Sequence, residues 1–419
     1  LISAIVAAFS RTTVRKSVIL CGEICNFVNV TLILLNMTNI ANAQNPFFEK
    51  YTTPYGTVPF DKIKNEHYEP AIREGISRQA AEIDAIVNNP EAPTFANTIL
   101  AYEKSGELLD RVTTVFGNLR SAETNDDLQK IAQEMIPLLS EHSNNISLNQ
   151  ELFERIKVVY GQKDSIELTP EQTKLLENAY NGFIRRGANL QGEAKEKYRE
   201  LTKNLSKLTL DFSENNLKET NNYQLTLTDE AQLAGLPESA IEAAAETARE
   251  KGVNGWVFTL HAPSYIPFMT YADNRDLRRE LYMAYNTKCT HDNEYNNLEI
   301  VKKIANIHME IAQLLGYDNY AEYTLKERMA ETGDAVYKLL NQLLDAYTPT
   351  AHKEYEAVQE LARTEQGDAF EVMPWDWSYY SNKLKDRQFN INEDSRFHFA
   401  QFEVGAEHLF VNIELPVFQ

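Results

Sequence analysis

The chain has 419 residues, of which 43% are hydrophobic, and its 41 Lys and Arg against 61 Asp and Glu give a net charge of -20. This length suffices for one large helical body or for two or three ordinary domains with a sizeable core. The negative charge repels phosphate backbones and anionic lipids, which argues against a nucleic-acid partner and against stable membrane association.

The first 43 residues differ in composition from the rest. Basic residues at 11, 15 and 16 precede an apolar stretch over residues 24–35, and the small residues Ala41 and Ala43 follow it. Secretory signal peptides show this order. The pattern predicts a signal peptide over 1–43, cleaved near Ala43, and export to the periplasm. A cytoplasmic location is the alternative if this start is not a signal. The apolar stretch is shorter than the ~20 residues that a spanning helix needs.

The three cysteines do not support a disulfide framework. Cys21 and Cys25 lie within the predicted signal peptide, which leaves Cys289 alone in the mature chain. Neither an intramolecular disulfide nor a multi-cysteine metal site can form there.

Residues 44–64 carry three prolines and a glycine between aromatic residues, which predicts an extended N-terminal arm packed by its rings. Helices are predicted from Asn65, where the first runs to the stop at Asn88-Asn89-Pro90. Thr94 is predicted to cap a second helix that continues to Phe116. Further predicted helices cover 125–160, 170–218, 238–251 and 294–363, and Pro267 is expected to reopen a helix.

Two short segments alternate apolar and polar residues, Asn222–Thr228 and Gly255–His261, and predict one small ribbon. The predicted fold class is therefore all-α with a minor strand element. Residues 65–260 are taken as an N-terminal helical region, and residues 261–419 as a further domain.

The eight histidines do not form an HExxH pattern anywhere in the chain. HExxH places two His on one helix face to bind zinc, with the Glu as general base. The pairs His291 with Glu294 and His352 with Glu356 each offer one His and one carboxylate, which favours a solvated helix surface. We therefore predict no metal ligand in this chain.

Nucleophilic chemistry has no better support. Cys289 lies beside Lys288 and two residues from His291, but this spacing alone does not make a catalytic dyad. The chain contains neither a GxSxG elbow nor a glycine-rich phosphate loop. No catalytic residue is predicted.

Aromatic residues are abundant, with 21 Tyr and 19 Phe, and they cluster over 265–285 and 373–385. One interpretation is packing between helices. The other is the wall of a peptide-binding cleft, in which rings give apolar contact and Tyr hydroxyls bind carbonyl groups. The individual substrate-binding residues remain unknown.

The run from Asn274 to Ala330 resembles the segment that M3 zinc oligopeptidases carry ahead of their catalytic helices, through Arg275, Arg278 and Leu314-Leu315-Gly316-Tyr317. The arm NPFFEKYTTPYGTVPFDKI, the stretch TAREKGVNGWVFTL and the motif WDWSYY are similar to the peptidyl-dipeptidase (Dcp) branch of that family.

The resemblance implies a helical fold of two lobes around a narrow channel, with zinc bound by an HExxH helix and a further Glu. It also implies a monomer that releases C-terminal dipeptides from short unstructured peptides. No position of this chain matches a zinc ligand, and we carry none over. Residues 261–419 are thus expected to be the start of a catalytic domain, truncated before the zinc motif. The chain is expected to be an inactive fragment that binds no zinc. The alternative is a non-catalytic helical protein that binds peptides or other partners.

Overall fold

The computed structural model describes residues 45–389. The predicted signal peptide with its cleavage near Ala43 lies outside the described residues, as do His398 and His408. The described part is mainly helical with two strands, which confirms the predicted fold class. Its longer helices are α1 Tyr68–Val87, α2 Glu107–Ala122, α3 Asp126–Ser147, α4 Gln150–Gly161, α5 Pro170–Arg185, α6 Gly192–Asn222, α7 Glu238–Glu250, α8 Ala262–Tyr271, α9 Arg275–Asn286, α10 Leu298–Leu314, α11 Tyr320–Leu325, α12 Gly333–Gln366 and α13 Trp377–Phe389.

The chain divides into two compact units. Of the described residues, the first unit contains 45–211 and 302–323, and the second contains 212–301 and 324–389. Within the described part, no helix is both long and apolar enough to cross a membrane.

In the first unit, the N-terminal arm packs through its rings as predicted. Phe47 is fully buried, and its ring centroid lies 5.3 Å from that of Tyr68, which lies 5.2 Å from that of Phe116. The arm is not extended throughout, because Pro46–Phe48 and Pro54–Gly56 form short 3-10 turns. Proline fixes φ near the helical value and therefore favours a turn at each of these points.

Helix α1 ends at the predicted stop, and Thr94 is a helix cap as predicted, since its hydroxyl accepts from the N–H of Asn97. The prediction of a single helix from Thr94 to Phe116 is wrong. A π-helical turn Phe95–Leu100 and a short turn Ala101–Glu103 precede Gly106, whose φ is +80° and whose N–H donates to Glu82 Oε2 at 2.7 Å. A glycine in this left-handed conformation ends one helix before α2 begins.

Three other predicted helices are also interrupted. Asn149 accepts from the N–H of Leu152 and so starts α4 separately from α3, because a capping side chain competes with helix continuation. The predicted helix over 170–218 breaks at 186–191. The one over 294–363 begins only at Leu298 and is broken at 315–319, where Gly316 has a φ of +83°, and again at 326–332. Helix α8 begins at Ala262, ahead of Pro267, because Pro263 occupies its first turn, where no N–H is needed.

The second unit contains the ribbon that the sequence predicts. Strand β1, Leu225–Leu227, pairs antiparallel with β2, Trp256–Phe258. Gly255 has a φ of +95°, and a Cβ there would lie 2.1 Å from the carbonyl oxygen of Leu227, so the turn into β2 requires glycine. Behind the ribbon, Phe258 and Phe268 pack edge to face, with ring centroids 4.7 Å apart.

Helices α12 and α13 form a smaller apolar core in the same unit. Val358, Leu361 and Ala362 of α12 are buried together with Tyr379 and Tyr380 of α13. This contact fixes the WDWSYY motif, which spans the turn Pro374–Asp376 and the start of α13.

Candidate functional site

The histidines of the described part are dispersed and do not converge on one point. His142 is buried with its Nε2 2.8 Å from Gln79 Oε1, and the ring of His308 stacks on that of Tyr320. Burial lowers the pKa of both His142 and His308, which favours the neutral ring. Among residues 45–389, no three His, Cys, Asp or Glu side chains are grouped so that they could hold a metal ion. These residues therefore do not fit the zinc centre that the resemblance implies.

The two His–Glu pairs considered as metal ligands from the sequence, His291 with Glu294 and His352 with Glu356, differ in their surroundings. His352 and Glu356 lie exposed one turn apart on α12, as predicted. His291 is exposed as well, but placing it on a helix surface is wrong, because residues 291–297 form turns ahead of α10. Asn293 accepts from the N–H of Tyr295, and such side-chain bonds favour turns over helix. The Nε2 of His291 lies 3.8 Å from Oε1 of Glu219, not beside Glu294.

Cys289 lacks the surroundings of a nucleophile. Its side chain is buried, and this burial, together with the negative charge of Glu219, raises the pKa of the thiol to about 11. The thiol is therefore protonated at neutral pH, whereas the thiolate is the reactive form. Its backbone N–H donates to Glu219 Oε2 at 2.9 Å, which ties the turn to α6.

A buried charge cluster joins α9 to the WDWSYY motif. The carboxylate of Asp376 is fully buried and accepts from Arg275 Nη2 at 2.7 Å and from Arg278 Nη2 at 2.9 Å. Arg278 is 1% exposed and also donates to the carbonyl oxygen of Ala272 at 2.7 Å. Charge-assisted bonds of this kind fix geometry strongly. The cluster therefore holds α13 against α9.

Aromatic rings close around these charges. The guanidinium of Arg278 lies 4.1 Å from the ring centroid of Tyr379, and that of Arg275 lies 4.2 Å from the ring of Phe370. The hydroxyl of Tyr379 donates to Asp273 Oδ1 at 2.6 Å. The sequence singled out Arg275, Arg278 and WDWSYY as separate features. Nothing in their spacing of about a hundred residues indicated that they pair.

The other aromatic cluster, over 265–285, serves mainly in packing. The rings of Tyr265 and Tyr285 stack with centroids 4.3 Å apart, and Phe268 and Leu281 are fully buried. Burial raises the pKa of Tyr265 to about 12, so its hydroxyl stays protonated. For this cluster the structure favours packing between helices over a cleft wall.

A groove along the carboxyl-terminal part of α12 and the loop after it combines a ring with charges on an accessible surface. It has a volume of about 810 Å³ and is lined by Tyr355, Glu356, Gln359, Glu360, Arg363, Thr364, Asp368 and Glu371. The rings of Tyr355 and Trp377 lie nearly parallel with centroids 6.3 Å apart, and both are partly exposed. Gln359 fixes the floor, since its Nε2 donates to the carbonyl oxygen of Phe370 at 2.7 Å and its Oε1 accepts from Val372. We call this surface the Tyr355 groove.

The chemistry of the Tyr355 groove suits a peptide. Ring faces offer apolar contact, carboxylates accept from N–H and ammonium groups, and the exposed Arg363 can donate to a carbonyl or a carboxylate. Sequence reasoning pointed to Trp377 through the aromatic cluster. It missed Tyr355 and Arg363, because they lie on one face of a long helix with no distinctive motif.

The first unit has a cavity of about 970 Å³ near His142. The side chain of Gln79, on the wall of this cavity, is hydrogen-bonded through its Oε1 to His142 and through its Nε2 to the carbonyl oxygen of Ser105. Its lining carries both charge signs and gives no indication of one ligand.

The described residues thus define a mainly helical protein whose second unit carries an aromatic, charged groove held in place by buried ion pairs. The chain belongs to peptidase family M3. The profile of that family matches residues 268–414. The chain is 36% identical over 350 residues to the dipeptidyl carboxypeptidase of Escherichia coli, covering 83% of this chain and 51% of the relative.

Two further relatives agree with this assignment. The chain is 33% identical over 343 residues to oligopeptidase A of Haemophilus influenzae, covering 81% of the chain and 50% of the relative. It is 28% identical over 318 residues to saccharolysin of Saccharomyces cerevisiae, covering 73% and 43%. The chain spans about half the length of the curated relatives it matches.

Proposed function

We propose that the whole protein is a peptidase that removes C-terminal dipeptides from short unstructured peptides. The observation that best supports this proposal is the 36% identity to a dipeptidyl carboxypeptidase over 83% of the chain. In this proposal residues 65–260 are an N-terminal helical region and residues 261–419 begin a catalytic domain. The protein works as a monomer, after export and removal of residues 1–43, without nucleic acid and without stable membrane association.

The chain supplies a peptide-binding wall rather than the hydrolytic centre. In the intact enzyme, zinc supplies Lewis-acid chemistry at the scissile carbonyl. Residues 45–389 do not offer a ligand set for it, so we assign them no bond-breaking step. Their part is to bind and orient the peptide.

The Tyr355 groove is the surface that fits this role. Tyr355 lines the groove, and the ring of Trp377 lies parallel to that of Tyr355 just outside this lining. The two rings give sequence-tolerant contact, and Arg363 in the groove can pair with a terminal carboxylate. Asp376 directly precedes Trp377 in the chain, so the buried ion pairs of Asp376 keep Trp377 in register with Tyr355. A rigid wall lowers the entropy lost when a peptide binds.

A second candidate function is binding of peptides without hydrolysis. It is favoured by the same groove together with the lack of a metal-ligand group in the described part of the chain. The two candidates differ in what an added zinc-bearing partner would do, since only the peptidase would gain activity.

Titration calorimetry with a short unblocked peptide tests the groove. We expect Trp377→Ala to weaken binding by about tenfold or more, because aromatic anchors dominate such contacts. Tyr55→Ala removes an exposed ring of the N-terminal arm and is the matched control, with unchanged affinity expected. Equal effects of the two substitutions, or no peptide binding at all, would rule out this groove.

A further inference from the structure

Three buried polar atoms of the first unit have no hydrogen-bond partner in the described part of the chain. They are the hydroxyl of Tyr51 in the N-terminal arm, the hydroxyl of Tyr68 at the start of α1 and the Nε of Arg111 in α2. Tyr68 is only 1% exposed. Buried polar atoms in folded proteins are nearly always paired, so three that are not paired call for a bound partner.

Contacts bring the three groups together where the arm meets α1 and α2. The guanidinium of Arg111 lies over the ring of Tyr51, 5.2 Å from its centroid, and its Nη2 donates to the carbonyl oxygen of Phe47 at 2.7 Å. The ring of Phe47 packs on that of Tyr68, with centroids 5.3 Å apart. Tyr51 also acts electrostatically on Tyr68 and contributes to its raised pKa. We call Tyr51, Tyr68 and Arg111 the arm site.

All three atoms of the arm site are donors at neutral pH. Burial raises the pKa of Tyr68 to about 12. Burial also raises the pKa of Tyr51, although the charge of Arg111 acts in the opposite direction there. Both hydroxyls therefore keep their protons, and a guanidinium donates without accepting. The site offers two O–H groups and one N–H group beside a positive charge.

That positive charge is not neutralised by a carboxylate. Arg111 forms no ion pair with any residue in 45–389, whereas Arg73 and Arg78 on α1 pair with Glu69 and Glu74. A water molecule at the arm site would leave the charge unbalanced. An anion accepts from all three donors and balances the charge as well.

The surrounding core favours a small anion. Phe47, Ile72 and Val112 are all 0% exposed and belong to the same apolar cluster as Tyr68. We propose that the arm site binds a chloride ion, which ties the N-terminal arm to α1 and α2. The site belongs to the first unit, and the inference does not depend on the proposed function.

Amide hydrogen exchange of the arm in the full 419-residue chain tests the proposal. Chloride is raised at constant ionic strength by replacing gluconate, which is too large for a site of one atom. The amides of Phe48 and Glu49 are hydrogen-bonded within the arm and report its opening. An ion that binds only the docked arm should slow their exchange by up to about tenfold for each tenfold rise in chloride above the dissociation constant.

Tyr68→Phe removes one donor and keeps the ring. In chloride it should speed the exchange of the arm by about tenfold or more and abolish the chloride dependence, because hydrogen bonds to charged groups are the strong ones. In gluconate it should be neutral or protective, because a buried hydroxyl without a partner costs free energy. Tyr198→Phe is the matched control: Tyr198 of the same unit is 6% exposed, and its hydroxyl is not among the unpaired atoms. This variant should respond to chloride as the original chain does.

Crystals grown in bromide locate the ion through its anomalous scattering, and we expect one peak in contact with all three donor atoms. The proposal is overturned by exchange that ignores chloride, by an unchanged response in Tyr68→Phe, or by a response lost equally in Tyr198→Phe. A water molecule at the arm site in these crystals would overturn it as well. Bromide bound there without any effect of chloride on exchange would mean an adventitious ion only, which also refutes the proposal.

Discussion

Replacing Asp376 with asparagine removes the carboxylate that Arg275 and Arg278 share. The carboxylate is 0% exposed and Arg278 is 1% exposed, so the substitution leaves a guanidinium buried without its counter-charge. Arg275 is 40% exposed and can be hydrated when the carboxylate is removed, so the free energy lost at Arg275 is smaller than that lost at Arg278. The introduced asparagine would also present an amide N–H₂ group toward donors.

The expected magnitude follows from burial. Breaking a buried pair by removing one partner costs about 3–5 kcal/mol, whereas an exposed pair contributes about 0–1 kcal/mol. The pair of Arg73 with Glu69 is the internal comparison, since its side chains are 52% and 41% exposed and its atoms are 2.9 Å apart. Glu69→Gln should therefore change the free energy of unfolding by less than about 1 kcal/mol.

Urea unfolding followed by tryptophan fluorescence measures both variants, and amide hydrogen exchange in α9 and α13 locates the loss. The double variant Asp376→Leu and Arg278→Met should recover part of the stability, because no lone buried charge remains. The reasoning fails if Asp376→Asn is as mild as Glu69→Gln, or if exchange rises equally in the first unit.

Three further substitutions give independent checks. Gly255→Ala should lower the stability of the protein in thermal unfolding by more than Gly252→Ala does. Both glycines have a positive φ, and this backbone strain alone costs about 1–2 kcal/mol for an alanine. Only at Gly255 does an added Cβ also meet the carbonyl oxygen of Leu227. Burial lowers the pKa of His142 from its ordinary value of 6.5, so the stability it provides is complete above that pH and is lost as pH falls through the folded pKa. His142→Gln should remove this part of the pH dependence of urea unfolding, and an unchanged slope would contradict it. Cys289→Ser should leave the number of thiols that react rapidly in the native chain unchanged and lower by one the number that react in denaturant, because the pKa of the buried thiol is about 11.

Local patterns predicted much of the fold. The first helix and its stop, the Thr94 cap and the ribbon over 222–261 follow from periodicity, capping and strand alternation, which act over a few residues. The helix breaks at Gly106 and Asn149 escaped prediction, because apolar periodicity continues across them. The structure shows the first break in the left-handed backbone of Gly106 and its bond to Glu82, and the second in the bond of the Asn149 side chain to the N–H of Leu152.

The candidate site was less accessible to sequence reasoning. The absence of an HExxH pattern can be read directly, but the Asp376 cluster joins residues that are about a hundred positions apart. Likewise, the periodicity of α12 predicts an apolar face without saying how much of it is covered. Both features depend on tertiary contacts, which a single sequence does not specify.

Product analysis by mass spectrometry tests the central claim most directly. A short peptide is incubated with the chain alone, with the portion of the E. coli dipeptidyl carboxypeptidase that the chain does not match, expressed as a separate polypeptide, and with the two together. Each incubation is run with and without a chelator. The account predicts release of the C-terminal dipeptide only by the two together, and loss of that release with the chelator. Chelator-sensitive hydrolysis by the chain alone, accompanied by one tightly bound zinc per chain, would contradict it.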